Sequence, residues 1–387
     1  MTADAKTLFT VNGKLTAIAQ APEKPQWGLK IRADWLSNLN LKVPTTVDEF
    51  YDVLKKFTFN DPDKDGKNNT YGLTSAGEGK GVGEIEALQN IWGPDDFYIK
   101  SDGKVGHPIA DGYRKQFLDF LRQAVKDKII DPDWYAQGWD IKNQLLCGKG
   151  LVGVDYFPGT IATTADAMNG HEAKTAGWWE SMAFPKGSSI GGKNTANLPY
   201  TAIKTVTAAA ASNVNKMKAI CKFINGITLP NEGYMKIRWG KDIDNYVDDV
   251  NFSKMDDGYT LWRDTEKGEY KRIQYPGEAD YGVLNSTTND KIVEGYGIRS
   301  VTSVITNLVK MNEDNYKFPT YSADASTLSF DPAIVKTLKD KQDEFEIMYI
   351  LGKNNDFEGF KKDWLNSGGQ KLLDSALAQW KAQGKIK

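Results

Sequence analysis

The sequence contains few of the residues on which most metal and nucleophilic chemistry depends. It has two histidines and two cysteines in 387 residues. Neither histidine has a second histidine or a cysteine three or four positions away, so no zinc-type site is predicted. Cys147 and Cys221 are too few for a disulfide framework and too far apart for a metal knuckle. We therefore expect both cysteines to be free core residues.

Long apolar runs and nucleotide-binding glycine motifs are also absent. No stretch of eighteen apolar residues occurs, and the first residues, MTADAKTLFTVNGKLTA, lack a basic start followed by an apolar segment. The sequence has no GxxxxGK[ST] loop, and no GxGxxG motif opens a helix after a strand. A membrane span, a signal peptide in the chain as given and a nucleotide-dependent enzyme are therefore not expected.

The chain also lacks a marked excess of either positive or negative charge. The chain has 49 basic and 51 acidic residues, a net charge of -2, and no block of like charge. Long-range attraction to nucleic acid or to an anionic membrane is therefore not expected. What the chain does have is aromatic side chains, including 11 tryptophans. Flat rings suit carbohydrate ligands, although they are core residues first.

Helical and strand patterns alternate along the chain, which predicts an α/β fold of two domains or lobes. Strands are predicted at residues 13–19, 28–36, 71–75 and 151–157, and helices at 113–128, 213–228, 330–352 and 356–384. The clearest helix start is at Thr46, which we expect to cap a helix together with Glu49 three positions later. Its predicted apolar face consists of Val47, Phe50, Val53, Leu54 and Phe57.

The loop NDPDKDGKNNTYG follows that helix and resembles a calcium-binding loop. Asp61, Asp63 and Asp65 match the first three ligand positions of the calcium-loop template, followed by Gly66, the carbonyl of Lys67, and Asn69. The twelfth position is Gly72 rather than glutamate, so the loop is not an EF-hand. Because it runs from a helix into a strand, we predict a structural Ca²⁺ site. A solvated turn rich in aspartate and asparagine remains the alternative.

Several segments carry a resemblance to a known family. The stretch from Gly28 to Thr74, KIIDPDW, LLCGKGLVGVDYF, residues 212–242 and residues 350–380 resemble the family 1 extracellular solute-binding proteins of ABC importers. The similarity is to the large Gram-positive lipoprotein branch that binds oligosaccharides, and it covers the chain from residue 13 onward. The acidic loop is similar to one in the alginate-binding members, where a glutamate stands at the position of Thr70.

The resemblance implies a periplasmic-binding-protein-like, type II bilobal fold with two discontinuous lobes. Residues 1–26 would be a remnant of the N-terminal lobe, 27–242 the C-terminal lobe with the calcium-type loop at 61–72, 243–320 a return to the N-terminal lobe, and 321–387 C-terminal helices on the C-terminal lobe. Hinge crossings are expected near residues 20–30, 240–246 and 318–326. About 100 residues of the N-terminal lobe are expected to be missing.

The resemblance also selects ligand-binding candidates at predicted loop tips and strand ends. Tyr156 and Phe157 follow a strand where similar proteins place a ligand-stacking ring, and Asp155 is placed either to accept from a sugar hydroxyl or to cap a turn. For each ring, core packing or hinge support is the competing interpretation. The complete candidate set is Glu78, Lys80, Asp155, Tyr156, Phe157, Trp178, Trp179 and Trp239.

The function implied is non-catalytic capture of an oligosaccharide outside a Gram-positive cell and its delivery to the permease of an ABC importer. In the full-length form a lipid anchor would provide the only membrane attachment. A secreted glycoside hydrolase remains an alternative, because it needs only two of the 51 carboxylates. A calcium-stabilised interaction module is the third possibility.

Overall fold

A computed structural model describes most of the chain. The described residues are 6, 9–11, 13–20, 27–158, 178–195, 201–226, 252–254, 260–264, 269–270, 311, 314–315 and 317–387. Trp239 and the predicted crossing at 240–246 lie outside them. None of the helices in the described part is long and apolar enough to cross a membrane.

The chain folds as two compact units. Unit 1 comprises 1–26, 162–177 and 198–313, and unit 2 comprises 27–161, 178–197 and 314–387. The lobe predicted at 27–242 therefore differs from unit 2 in its boundary. Residues 201–226 belong to unit 1, because the strand at 201–205 pairs antiparallel with the strand at 17–20.

Unit 1 contains short strands and two helices among its described residues. The strands are β1 (Thr10–Val11), β2 (Lys14–Leu15), β3 (Ala17–Gln20), β10 (Thr201–Thr205), β11 (Phe252–Lys254), β12 (Thr260–Asp264) and β13 (Glu269–Tyr270). The helices are α6 (Ala208–Ala211) and α7 (Val214–Gly226). On α7, Cys221 is a free thiol as predicted, but it is exposed rather than buried.

Unit 2 is built on a mixed four-stranded sheet in the order β5-β8-β4-β9. Its strands are β4 (Trp27–Arg32), β5 (Tyr71–Leu73), β8 (Val152–Pro158) and β9 (Trp179–Ser181), with a separate hairpin of β6 (Tyr98–Ile99) and β7 (Val105–Gly106). Strand β8 pairs parallel with β5 and antiparallel with β4. Its register sets Leu29 opposite Tyr156 and Lys30 opposite Asp155.

Helices pack around this sheet and complete unit 2. They are α1 (Ala33–Asn38), α2 (Val47–Phe59), α3 (Pro108–Asp111), α4 (Tyr113–Lys126), α5 (Trp139–Asn143), α8 (Pro332–Ile350), α9 (Phe357–Trp364) and α10 (Gln370–Ala382). Residues Gly83–Ile91 form a 3₁₀ helix, and Gln144–Gly148 and Leu365–Gly369 are π-helical turns.

The predicted start of α2 is confirmed. The Glu49 backbone N–H donates to Thr46 Oγ1 at 3.2 Å, and the Thr46 N–H donates to Glu49 Oε2 at 3.1 Å. Hydrogen bonds from Thr45 and Thr46 lower the pKa of Glu49. On the inner face, Phe50, Leu54 and Phe57 are completely buried. The two reciprocal bonds fix where the helix begins, and the buried face holds it against the sheet that carries the site.

Candidate functional site

Three aromatic rings gather at one end of the sheet in unit 2. Trp27 is the first residue of β4, Tyr156 lies near the end of β8, and Trp139 is the first residue of α5. The ring centroids of Trp27 and Tyr156 are 5.6 Å apart with planes at 33°, and those of Trp27 and Trp139 are 5.9 Å apart, edge to face. We call these three residues the aromatic platform.

The strand register explains why two of these rings meet. Tyr156 pairs directly with Leu29, and residues two apart on a strand share a face, so Trp27 is its diagonal neighbour. Diagonal neighbours are within reach of aromatic side chains. Trp27 nevertheless keeps 42% of its surface exposed. A tryptophan that contacts two rings and still faces solvent offers a flat apolar surface to a ligand.

Polar groups surround the platform. The Tyr156 hydroxyl is hydrogen-bonded to Thr195, whose Oγ1 accepts from Asn90 Nδ2 at 2.9 Å. The Tyr321 hydroxyl donates to the Asn90 carbonyl at 3.2 Å. Within the described residues, Oδ1 of Asn90 and Oδ1 of Asn194 are buried and accept no hydrogen bond. A chain of hydroxyl and amide groups thus runs from Tyr156 through Thr195 and Asn90 to Tyr321.

Asp95 adds a carboxylate to this rim. Solvent reaches its side chain, yet the surrounding protein and the nearby charges of Asp96 and Glu86 raise its pKa to about 6. Desolvation, reinforced by the charge of Asp95, raises the pKa of both Tyr156 and Tyr321.

A buried charge cluster lies next to the platform. The Lys142 ammonium is 2.6 Å from Asp155 Oδ2, contacts the Glu84 carboxylate, and lies 4.6 Å from the centroid of the Trp139 ring. Burial raises the pKa of Asp155 to about 7, and the charge of Lys142 opposes that shift. Glu84 also accepts a hydrogen bond from the Ala76 N–H at 3.1 Å.

The acidic loop after α2 brings its three aspartates together. One carboxylate oxygen each from Asp61, Asp63 and Asp65 lies within 4.8 Å of the others. The Asp63 Oδ1 and Asn69 Oδ1 atoms are buried and accept no hydrogen bond in the described part of the chain. Desolvation and the charge of Asp65 raise the pKa of Asp63. These oxygens form a donor set of the kind that hard cations prefer.

Other contacts in the loop need no metal. The Asp65 N–H donates to Asp61 Oδ1 at 3.1 Å, and the Lys67 ammonium lies 3.0 Å from Asp65 Oδ2. Thr70 takes no part in the oxygen cluster, because its hydroxyl donates to the Phe57 carbonyl at 2.8 Å and is buried. The residue in the place of the alginate-type glutamate therefore anchors the loop to α2.

The chain is similar in sequence and in structure to several known proteins. No family profile matches it. The polygalacturonan/rhamnogalacturonan-binding protein YtcQ of Bacillus subtilis is 25% identical over 392 residues, which cover 94% of this chain and 70% of YtcQ. The ABC-transporter substrate-binding protein FusA of Streptococcus pneumoniae, solved as an EF-hand mutant with fructo-nystose, matches with a TM-score of 0.63 and 16% identity over 99% of this chain and 79% of FusA. The chain is thus similar to proteins named as binding components of ABC transporters.

A third similar structure is that of an alginate-binding protein. The alginate-binding protein AlgQ2, solved without calcium ion, matches this chain with a TM-score of 0.61 and 19% identity, over 98% of this chain and 77% of AlgQ2. Together the likenesses show an α/β, two-lobed fold, as predicted from the sequence.

The predicted ligand residues of this chain divide into three groups. Tyr156 belongs to the platform. Phe157 is completely buried, Trp179 is 4% exposed, and their rings meet edge to face at 5.0 Å inside unit 2. Trp178 stacks on the guanidinium of Arg32 at 4.5 Å. In this arrangement Phe157 and Trp179 support the sheet, Asp155 is held by Lys142, and the ligand role of Trp178 stays a prediction.

Glu78 and Lys80 are exposed at the tip of the loop after β5. Their charged groups are 3.3 Å apart, and the Glu78 N–H donates to the Gln137 carbonyl at 3.1 Å. Because Gln137 is two residues before Trp139, this loop lies next to the segment that carries the platform. The ligand role of both residues stays a prediction.

Sequence reasoning missed Trp27 and Trp139. Neither residue is among the ligand-binding candidates selected from the sequence. A usable signal was present in both cases, since each ring is adjacent to a glycine at the start of an element, in QWG and QGW.

Proposed function

We propose that this protein is the extracellular, non-catalytic receptor of an ABC importer and that it binds an oligosaccharide on the aromatic platform for delivery to the permease. The observation that carries this proposal is the exposed Trp27 ring, packed against Tyr156 and Trp139 and bordered by hydroxyl, amide and carboxylate groups. The C–H face of a pyranose stacks on such rings, and its hydroxyls pair with such a rim.

The relatives support the same ligand class and location. YtcQ is named for binding polygalacturonan and rhamnogalacturonan, FusA was solved with a fructo-oligosaccharide, and AlgQ2 binds alginate. A further relative in Bacillus subtilis, 33% identical over 163 residues, is named a lipoprotein. Attachment to the membrane through a lipid anchor belongs to the proposal.

The competing hydrolase would need a pair of carboxylates free to act on a glycosidic bond. Beside the platform, the carboxylates of Asp155 and Glu84 both contact Lys142, which commits them to an internal cluster. Asp95 is a rim carboxylate outside this cluster, so cleavage is tested directly in the ligand screen.

A ligand screen tests the proposed function. Thermal unfolding is followed with a panel of neutral and acidic oligosaccharides in the presence of calcium, and the best ligand is analysed by chromatography after overnight incubation. We expect a saturable rise in melting temperature with the sugar recovered intact, because a ligand that binds only the native state stabilises it by mass action. Cleavage of the sugar would support the hydrolase, and no shift with any sugar would contradict the proposal.

The acidic loop is proposed to hold a structural Ca²⁺ ion. Asp61, Asp63, Asp65 and Asn69 would supply side-chain oxygens and Lys67 its carbonyl. The unpartnered oxygens of Asp63 and Asn69 and the close approach of three carboxylates fit a cation. Bound there, the ion would neutralise the carboxylates and join the end of α2 to the start of β5.

Removing calcium with a chelator is expected to lower the melting temperature. At a free calcium concentration one hundred times the dissociation constant, the bound ion contributes about 2.7 kcal/mol to the free energy of unfolding. The Asp63→Asn variant should melt close to the chelated protein and lose its response to calcium. Asp102→Asn, which removes an exposed carboxylate in another loop, should respond like the parent. A parent protein whose melting is the same with chelator and with excess calcium would show a turn that needs no metal.

A further inference from the structure

Lys142 is a completely buried lysine beside the one ring of the platform that lies on a helix. It follows Trp139 by three positions on α5, so the two side chains lie on the same side of the helix. Its ammonium lies 4.6 Å from the Trp139 ring centroid and is shared between Asp155 on β8 and Glu84 on the 3₁₀ helix. One side chain therefore connects three elements and a platform ring.

Stability alone does not account for this cluster. Desolvating a cation and two carboxylates costs free energy that their mutual attraction recovers only in part, and buried ion pairs are often replaced by apolar residues without loss. The cluster also carries one more acidic than basic group. A function that requires a fixed geometry is a better explanation for keeping three buried ionisable groups here.

The orientation of the Trp139 ring is a geometry that the cluster can hold fixed. Trp139 meets Trp27 edge to face, at an interplanar angle of 86°, and a desolvated ammonium over an indole ring favours one orientation of that ring. Asp155, which contacts the Lys142 ammonium, immediately precedes Tyr156 on β8. The cluster thus links the helix under one platform ring to the strand that carries another.

We infer that Lys142 is a positioning residue for ligand binding, which holds Trp139 in place through its contacts with Asp155 and Glu84 and so keeps the aromatic platform preformed. This inference rests on the proposed function. A preformed surface binds more tightly because less side-chain freedom is lost on association. Lys142 itself touches no ligand in this scheme.

The test compares sugar affinity and stability in matched variants. Lys142→Met should weaken the affinity for the best oligosaccharide about tenfold, and Lys142→Arg, which keeps a cation over the ring, should stay within about threefold of the parent. If Lys142→Met does not fold, the double variant Lys142→Met/Asp155→Asn removes one charge of each sign, and Glu84 keeps its bond from the Ala76 N–H. The same loss of affinity is expected from it.

Two further measurements separate positioning from a merely structural role. Glu346→Gln disrupts another buried ion pair of unit 2, with Arg114, and should lower the melting temperature without changing affinity. The circular dichroism signal of the coupled Trp27–Trp139 pair should weaken in Lys142→Met and be kept in Glu346→Gln.

The outcomes distinguish this inference from the function on which it rests. If the parent protein binds no sugar, the proposed function fails. If the parent binds sugar and Trp27→Ala weakens binding, but Lys142→Met and the double variant bind like the parent, the platform stands and the positioning role is refuted. Equal loss of affinity in Glu346→Gln and Lys142→Met would also refute it, because general destabilisation would then explain both.

Discussion

Replacing Trp27 by alanine is expected to weaken the binding of the preferred oligosaccharide by about 10- to 100-fold, which corresponds to about 1.4–2.7 kcal/mol. The substitution removes the most exposed ring of the platform and, with it, the partner that Tyr156 and Trp139 both contact. Because 42% of the side chain already faces solvent, the free energy of unfolding should change much less than it would for a core tryptophan. Isothermal titration calorimetry, together with thermal unfolding, measures both quantities.

Matched variants make this expectation specific to the platform. Phe59, at the end of α2, is 49% exposed and lies outside the platform, so Phe59→Ala should leave sugar affinity unchanged. Tyr156→Phe keeps the ring and loses the hydrogen bond to Thr195, so it should bind more weakly than the parent and more tightly than Tyr156→Ala. A Trp27→Ala protein that binds the sugar as tightly as the parent would place the site elsewhere.

The two consecutive rings at the end of β8 show what the sequence could and could not predict. The strand and its aromatic end were predicted correctly, but Tyr156 faces the platform while Phe157 is completely buried. Successive side chains on a strand point to opposite faces, so only one of two neighbours can belong to a given surface. In a strand covered on both faces, the alternation of polar and apolar residues is lost. The sequence alone therefore did not indicate whether Tyr156 or Phe157 would face the platform.

The other features that the sequence did not predict depend on contacts between segments far apart in the chain. The capping box of α2 lies within four residues and was predicted from the sequence. The assignment of residues 201–226 to unit 1 depends instead on the pairing of β10 with β3, about 180 residues earlier in the chain, which no local pattern encodes. For the same reason Asp155 was predicted as a sugar acceptor or a turn cap. Its partners, Lys142 and Glu84, come from separate elements that meet only in the folded protein.

The buried ion pair between α4 and α8 is a comparable long-range contact, and it supports the largest expected loss of stability. Arg114 donates from Nε to Glu346 Oε1 and from Nη2 to Glu346 Oε2, both at 2.6 Å, across 232 positions of sequence. Both side chains are only 2% exposed. A two-bond contact with this geometry fixes the orientation of one helix on the other and also satisfies a guanidinium that burial would otherwise leave uncompensated.

Glu346→Gln is therefore expected to lower the free energy of unfolding by about 3 kcal/mol, the lower end of the range for breaking a buried pair. The lower end applies because Arg114 keeps one carboxylate, Glu86, at 2.8 Å. The urea midpoint should fall accordingly. On the same helix, Asp340→Asn removes an exposed pair with Lys336 and should cost at most about 0.5 kcal/mol. If the two variants unfolded at the same urea concentration, the Arg114–Glu346 contact would contribute no more than a surface pair, and hydrophobic packing alone would hold α8 on α4.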